Sequence, residues 1–284
     1  MWAGTAAAAL GIALLCGFSA SPAWAYEPTL GEIYTRILER SSVYAGAILS
    51  LENMVYDAQP GVIAEASQEQ TDREPAVMPA WGFRQRVYWL RRGFLAIETF
   101  DMEGKPLHYY YDEGFGETSV NLDAVRQFET VDILHPFLPF LGESRSAWEK
   151  GATTWGILPQ RVTINRTPKG NVLYGLQEAH GKAVWVDAVD YLPLRVESVA
   201  LGGNHIAELR IEFGPYMIFG EQTDESRNLV FPRSVLFLLN GRLFKRSVLK
   251  DMDYDPNMRE FPLTRLRQRA QALRSQSTAE ASRP

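Results

Sequence analysis

The chain has 284 residues, of which 46% are hydrophobic and 22% charged, with a formal net charge of −5 and one cysteine. That mildly acidic balance gives no support to an electrostatic nucleic-acid partner, and a lone cysteine excludes a disulfide framework within the chain. The length suits one large β domain or two small ones.

The first 25 residues carry no charged side chain, and 3–18 are almost wholly small or apolar. Ala23-Trp24-Ala25 supplies a small-x-small site, so the expectation is a signal peptide, 1–25, cleaved after Ala25. No Lys or Arg lies near Met1. An uncleaved anchor needs roughly 20 apolar residues, and this run is shorter and ends in Ser-Pro. Acylation at Cys16 calls for a small residue just before it, where Leu15 stands.

Thr29 and Glu32 have capping-box spacing, and Leu30, Ile33, Tyr34, Ile37 and Leu38 follow at helical intervals, which predicts an amphipathic helix lying on an apolar surface. Residues 43–56 alternate like a strand, with Leu49, Leu51 and Val55 opposite Ser50 and Glu52. Residues 57–79 break all periodicity and carry about −4 of charge, the expectation for a disordered or functional insertion. A three-strand meander follows at 83–90, 94–101 and 106–112. In its first strand Phe83, Val87 and Trp89 oppose Arg84, Arg86 and Tyr88; in its second, Leu95 and Ile97 oppose a mixed row holding both Phe94 and Glu98.

Leu122, Val125 and Phe128 fit a helix, but 133–141 is an apolar run with two prolines that forbid a regular helix or a central strand. Such a run must lie against apolar surface supplied by the rest of the domain, either as a buried crossover or as a movable lid. Strands return at 160–166 and 171–178. Residues 183–197 then read as a hairpin turning through 187–190, with Leu192, Leu194 and Val196 opposite Arg195 and Glu197. Pro193 can donate no ladder bond and belongs on an unpaired side or at a bulge.

Ala207, Leu209, Ile211 and Phe213 alternate with Glu208, Arg210 and Glu212, one face core and one face water. Asn240-Gly241, between strands at 234–239 and 242–249, is a two-residue hairpin signal. Residues 263–274 look helical. The tail from Arg265 onward carries about +4, which suits a frayed, solvated end or a contact with anionic lipid.

No catalytic or metal-binding constellation stands out. His108, His135, His180 and His205 are scattered without ligand spacing, and there is no Gly-x-Ser-x-Gly or phosphate-binding glycine loop. No cofactor is expected. A pair of carboxylates converging in space remains the route by which the chain would be an enzyme.

A strand ending in Trp185-Val186-Asp187, a short turn, and Leu192-Pro193-Leu194-Arg195 on the return resembles the hairpin of the LolA-type, outer-membrane lipoprotein-sorting superfamily. The order of elements from the Thr29 helix to the Asn240-Gly241 hairpin is similar too. The resemblance implies an α+β fold: a curved, unclosed antiparallel β-barrel of about ten strands, with helices and the Pro-rich lid over an apolar cavity. It implies a half-barrel domain at 26–262, followed by a basic C-terminal helix and disordered tail at 263–284. It further implies a periplasmic carrier of lipid or lipoprotein acyl chains, working with an inner- or outer-membrane protein partner. On that basis the acyl chain is expected against Val87, Trp89, Leu194, Val196, Leu209, Ile211 and Phe213, under a lid containing Phe137, Leu138 and Phe140. Arg84 or Arg86 is expected to tether the lid or meet a head group. The acidic insertion and the basic tail depart from the carriers' pattern and leave the cargo open. The same fold also serves as a sensor that binds a membrane-protein partner, and a hydrolase acting on lipids or glycans is a third possibility.

Overall fold

The computed structural model describes residues 27–41, 46–56, 78–90, 93–113, 117–122, 157–178, 182–202, 205–219, 229–254 and 261–281. The expected signal peptide, nearly all of the acidic insertion, and the Pro-rich run with Phe137, Leu138 and Phe140 lie outside these residues.

Helix α1 (Leu30–Ser41) opens the described chain and β1 (Gly46–Val55) follows. Then come β2 (Trp81–Leu90), β3 (Phe94–Asp101), β4 (Pro106–Asp112) and β5 (Thr118–Asn121). The second meander is β6 (Arg161–Arg166), β7 (Val172–Gln177), β8 (Ala183–Asp187), β9 (Pro193–Gly202) and β10 (His205–Phe213). After it stand β11 (Tyr216–Phe219), β12 (Leu229–Pro232), β13 (Ser234–Leu239), β14 (Arg242–Tyr254) and helix α2 (Leu263–Ala281).

Twelve strands form one curved sheet in the order β5-β4-β3-β2-β1-β14-β13-β10-β9-β8-β7-β6. Its β5 and β6 ends are not joined, so the barrel is unclosed. Every pair is antiparallel, and the β13–β14 hairpin stitches the two meanders together. The expected count of about ten is therefore corrected to twelve. Strand β5, Thr-Ser-Val-Asn, is too short and polar to show alternation. A separate hairpin of β11 and β12 stands off the main sheet.

Local chemistry sets several of the junctions. The Thr29 hydroxyl accepts from Glu32 N (3.3 Å) while Thr29 N donates to the Glu32 carboxylate (2.7 Å), so the capping box starts α1 as its spacing predicts. Asn240 and Gly241 take φ of 49° and 76°, the pair of positive values that a I′ turn demands. At the β8–β9 corner the Asp187 carboxylate accepts from the backbone N–H of Val189 and Asp190, at 2.7 and 3.0 Å, and closes the turn.

The β8–β9 register shifts between Trp185 and Val186, so that Trp185 faces Arg195 while Val186 faces Pro193. Leu194 is the extra residue of this bulge, beside the proline that cannot bond the ladder.

Over β2–β4 the sheet is buried on both sides, each by a different partner. On the inner side Leu49, Val87, Ile97, Val184, Val196, Ile211 and Phe237 form one core with Ile33, Tyr34 and Ile37 of α1 and Phe231 of β12. On the outer side Tyr88, Leu90, Phe94, Ala96, Tyr109 and Tyr111 pack with Phe261, just before α2, and with Leu266 and Ala270 of its narrow apolar stripe. The helix expected at 263–274 runs from Leu263 to Ala281, and its first turns pack on the outer face.

Candidate functional site

The inner face is built by register. Across β14, β1, β2, β3 and β4, Met252, Leu49, Val87, Ile97 and Tyr110 lie in one row. Across β13, β10, β9, β8 and β7, Phe237, Ile211, Val196, Val184 and Leu176 lie in another. All belong to the core covered by α1. Val87, Val196, Ile211 and Phe213, four of the expected lining residues, are thus brought together, at 1%, 0%, 3% and 7% exposure. These low values mean that the four side chains are shut off from water, within the core that α1 shares. Trp89 and Leu209 lie on the same face but are only partly buried, at its margins.

The remaining expected positions fall elsewhere. Leu194 leaves the inner row at the bulge and packs with Leu173, Ala183 and Trp185 on the outer side. Arg84 and Arg86 are exposed on the outer face, across the sheet from Gln85 and Val87. The structure does not bring them to the inner row.

Sequence reasoning missed a polar seam that crosses this apolar face. Ser247 on β14 donates to Asn53 Oδ1 on β1, and Asn53 Nδ2 donates to Gln85 Oε1 on β2 at 3.1 Å. Gln85 Nε2 then makes a long bond to Thr99 Oγ1 on β3, 3.5 Å. Thr99 faces His108 of β4, whose Nε2 lies 3.0 Å from Ser119 Oγ of β5. Ser247, Asn53, Gln85, Thr99 and His108 are all 2% exposed or less. Burial holds His108 neutral, with its pKa lowered to about 4. The signal that would have found the seam is Gln85 itself, a polar residue at a core position of the otherwise apolar Phe83–Val87–Trp89 row.

Two charged side chains with opposite settings are also deeply buried. Glu98, 3% exposed, lies on the outer face beneath α2, where Arg265 (3.3 Å) and Arg269 reach its carboxylate and the Tyr88 hydroxyl donates to it at 2.9 Å. Lys245, also 3% exposed, points to the inner face, with its ammonium 5.4 Å from the Phe83 ring centre and 5.2 Å from that of Phe237. Two aromatic faces offset part of the cost of burying a cation. Among the described residues no group of three or more His, Cys, Asp or Glu side chains is arranged to hold a metal ion, and no helix is long and apolar enough to cross a membrane.

No protein-family model and no curated protein matches the sequence. Among solved structures, the chain is similar to a domain described as an outer membrane lipoprotein-sorting protein from Vibrio parahaemolyticus. That match has 12% identity and a TM-score of 0.48, and it covers 83% of this chain and 97% of the other. It is also similar to a LolA superfamily protein from Nitrosomonas europaea, at 9% identity and a TM-score of 0.45 over 83% of this chain and 98% of the other.

Proposed function

We propose that this chain is a periplasmic binding protein that shelters the acyl chains of a lipid or lipoprotein on the inner face of its sheet and passes them between envelope membranes or protein partners. The observation that carries the reading is the inner face itself: apolar rows running from β4 round to β7, packed with a short amphipathic helix and the small β11–β12 hairpin in one core. A helix held by Ile33, Tyr34 and Ile37, with Leu30 and Leu38 at its edges, is a cover small enough to be displaced. The Trp-Val-Asp and Leu-Pro-Leu-Arg hairpin agrees with this reading.

Because the lining residues are packed against α1, cargo takes the place of α1 side chains instead of entering a standing hollow. Each buried methylene is worth roughly 0.8 kcal/mol, so a chain of about 16 carbons gains on the order of 10 kcal/mol over water and almost nothing over a bilayer. Loading therefore needs a delivering machine or a downhill acceptor. The test is mass spectrometry of organic extracts from the purified protein, paired with titration of a fluorescent acyl chain. Expected are copurified lipid and saturable binding; an empty protein that binds no acyl chain overturns the reading.

The filled inner face also favours a second reading, an envelope sensor or scaffold that binds a membrane protein and carries no lipid. A tight complex with a membrane-protein fragment, without bound lipid, is its signature.

A further inference from the structure

We infer that the free edge of β6 is a docking site for an extended, acidic segment of a partner protein, which joins the sheet as one more strand. This goes beyond both readings of the inner face, because the edge lies at the margin of the sheet and serves a carrier's partner or a sensor's alike. Strand β6 ends the twelve-stranded sheet, and among the described residues no strand pairs with its far side. The turn that joins it to β7 fixes where its amide groups point. Thr167 N donates to the Asn171 carbonyl at 2.9 Å, so, counting back by two, Asn165 and Thr163 turn their amides toward β7. Val162, Ile164 and Arg166 turn theirs outward. The Arg166 N–H agrees with this count, since it donates to the side chain of its neighbour, Asn165 Oδ1, at 2.8 Å. That leaves the amides of Val162 and Ile164, at mid-strand, as the ones an added strand meets, and Ile164 is 40% exposed. The opposite edge differs: β5 has four residues, and α2 reaches it through Arg274, which donates to the Thr118 hydroxyl. Of the two edges β6 is the longer and the more open.

Charge names the occupant. Residues 161–170 hold Arg161, Arg166 and Lys169 and no acid, in a chain whose net charge is −5. Both arginines of the strand are exposed. A second copy of the chain would set one basic edge against another, so like charge keeps copies apart. A segment carrying Asp or Glu gains from the same side chains. Its pattern follows from the pleat. Val162 and Ile164 lie on the inner side with Leu176 and Tyr174, their partners on β7, whereas Thr163 and Asn165 alternate to the outer side with Arg161. An incoming strand therefore continues the inner face with apolar residues and places acids between them.

The test titrates two blocked peptides of about eight residues into the full chain at neutral pH, one alternating valine with glutamate and one alternating valine with lysine. Nuclear magnetic resonance on labelled protein reads both affinity and place. The glutamate peptide is expected to shift the amides of Val162 and Ile164 and slow their exchange, and the lysine peptide to bind at least about tenfold more weakly. Ile164→Pro removes an outward N–H and no ladder bond to β7, so it is expected to weaken the glutamate peptide about tenfold while the sheet stands. Arg161→Glu combined with Arg166→Glu is expected to reverse the order of the two peptides. Equal affinity of wild type for both peptides, shifts that fall away from β6, or binding of neither overturns the inference, and these outcomes need no variant to fold. An Ile164→Pro protein that binds as wild type does overturns it as well. None of these results touches the acyl-chain reading, whose probe is a lipid.

Discussion

His108 is a neutral imidazole in a buried seam, and that has a consequence for stability. Its pKa is lowered to about 4 by burial, against about 6.5 in an unfolded chain, so between these values the unfolded state binds the extra proton. The contribution is fully present above pH 6.5 and is lost as the pH falls toward 4. At about 1.4 kcal/mol per unit, the protein is expected to lose on the order of 2 kcal/mol from this group between pH 7 and 4.5. Denaturant unfolding of wild type and His108→Gln at both pH values checks it: the variant's loss on acidification is smaller by that amount. A second comparison separates the two faces. Ile211 is 3% exposed in the inner core, so Ile211→Ala is expected to cost about 2–4 kcal/mol, whereas Leu194→Ala, at a half-buried bulge on the outer side, costs roughly half as much and leaves acyl-chain binding unchanged. Leu194 also shows where alternation misleads. A period of two holds only until an extra residue enters the strand, and Pro193 warns of that bulge without saying which neighbour it ejects.

At the scale of elements, α2 is held to the sheet by its arginines as well as by its thin apolar stripe. Arg265 and Arg269 meet Glu98, Arg267 forks onto Glu113, and the Tyr109 hydroxyl donates to the Leu266 carbonyl at 2.9 Å. The Arg267 guanidinium beside Glu113 holds that carboxyl below its usual range. Arg265 and Arg269 stack over Tyr88 and Tyr109, at 5.9 and 5.0 Å from the ring centres. Glu98→Gln keeps the size of the side chain and removes the charge both arginines answer. It is expected to cost about 2 kcal/mol, less than a fully buried pair because Arg265 is 59% and Arg269 34% exposed. Faster hydrogen exchange confined to Leu263–Ala281 is the readout, and an unchanged helix rules this clamp out. Part of the arrangement was legible beforehand. The mixed row of Phe94 and Glu98 on β3, untidy for a strand with one wet face, is what a strand buried on both sides requires. Which element covered the second side was not legible, because an arginine-rich segment ending in Ser, Thr and Ala reads as a solvated tail until its carboxylate partners, far away in sequence, are known.

At the scale of the molecule, the central question is whether α1 and an acyl chain compete for one surface. Opening the inner face exposes Ile33, Tyr34 and Ile37, all 6% exposed or less, at about 1.5–3 kcal/mol each. That sum falls a few kcal/mol below what a chain of about 16 carbons gains on leaving water. The exchange of cover for cargo is therefore near balance, as a protein that both loads and unloads requires. If the two compete, weakening the cover helps the cargo, because apparent affinity is reduced by the fraction of molecules that are closed. Ile33→Ala is thus expected to destabilise the free protein by about 2–4 kcal/mol and yet tighten acyl-chain binding tenfold or more. In wild type, loading is expected to speed amide exchange along Leu30–Ser41, since the displaced helix loses its packing. A helix that forms one wall of the site gives the opposite signs on both measurements: weaker binding by the variant and slower exchange on loading. Either of those results excludes displacement, and the pair of signs together distinguishes a cover that leaves from a wall that stays.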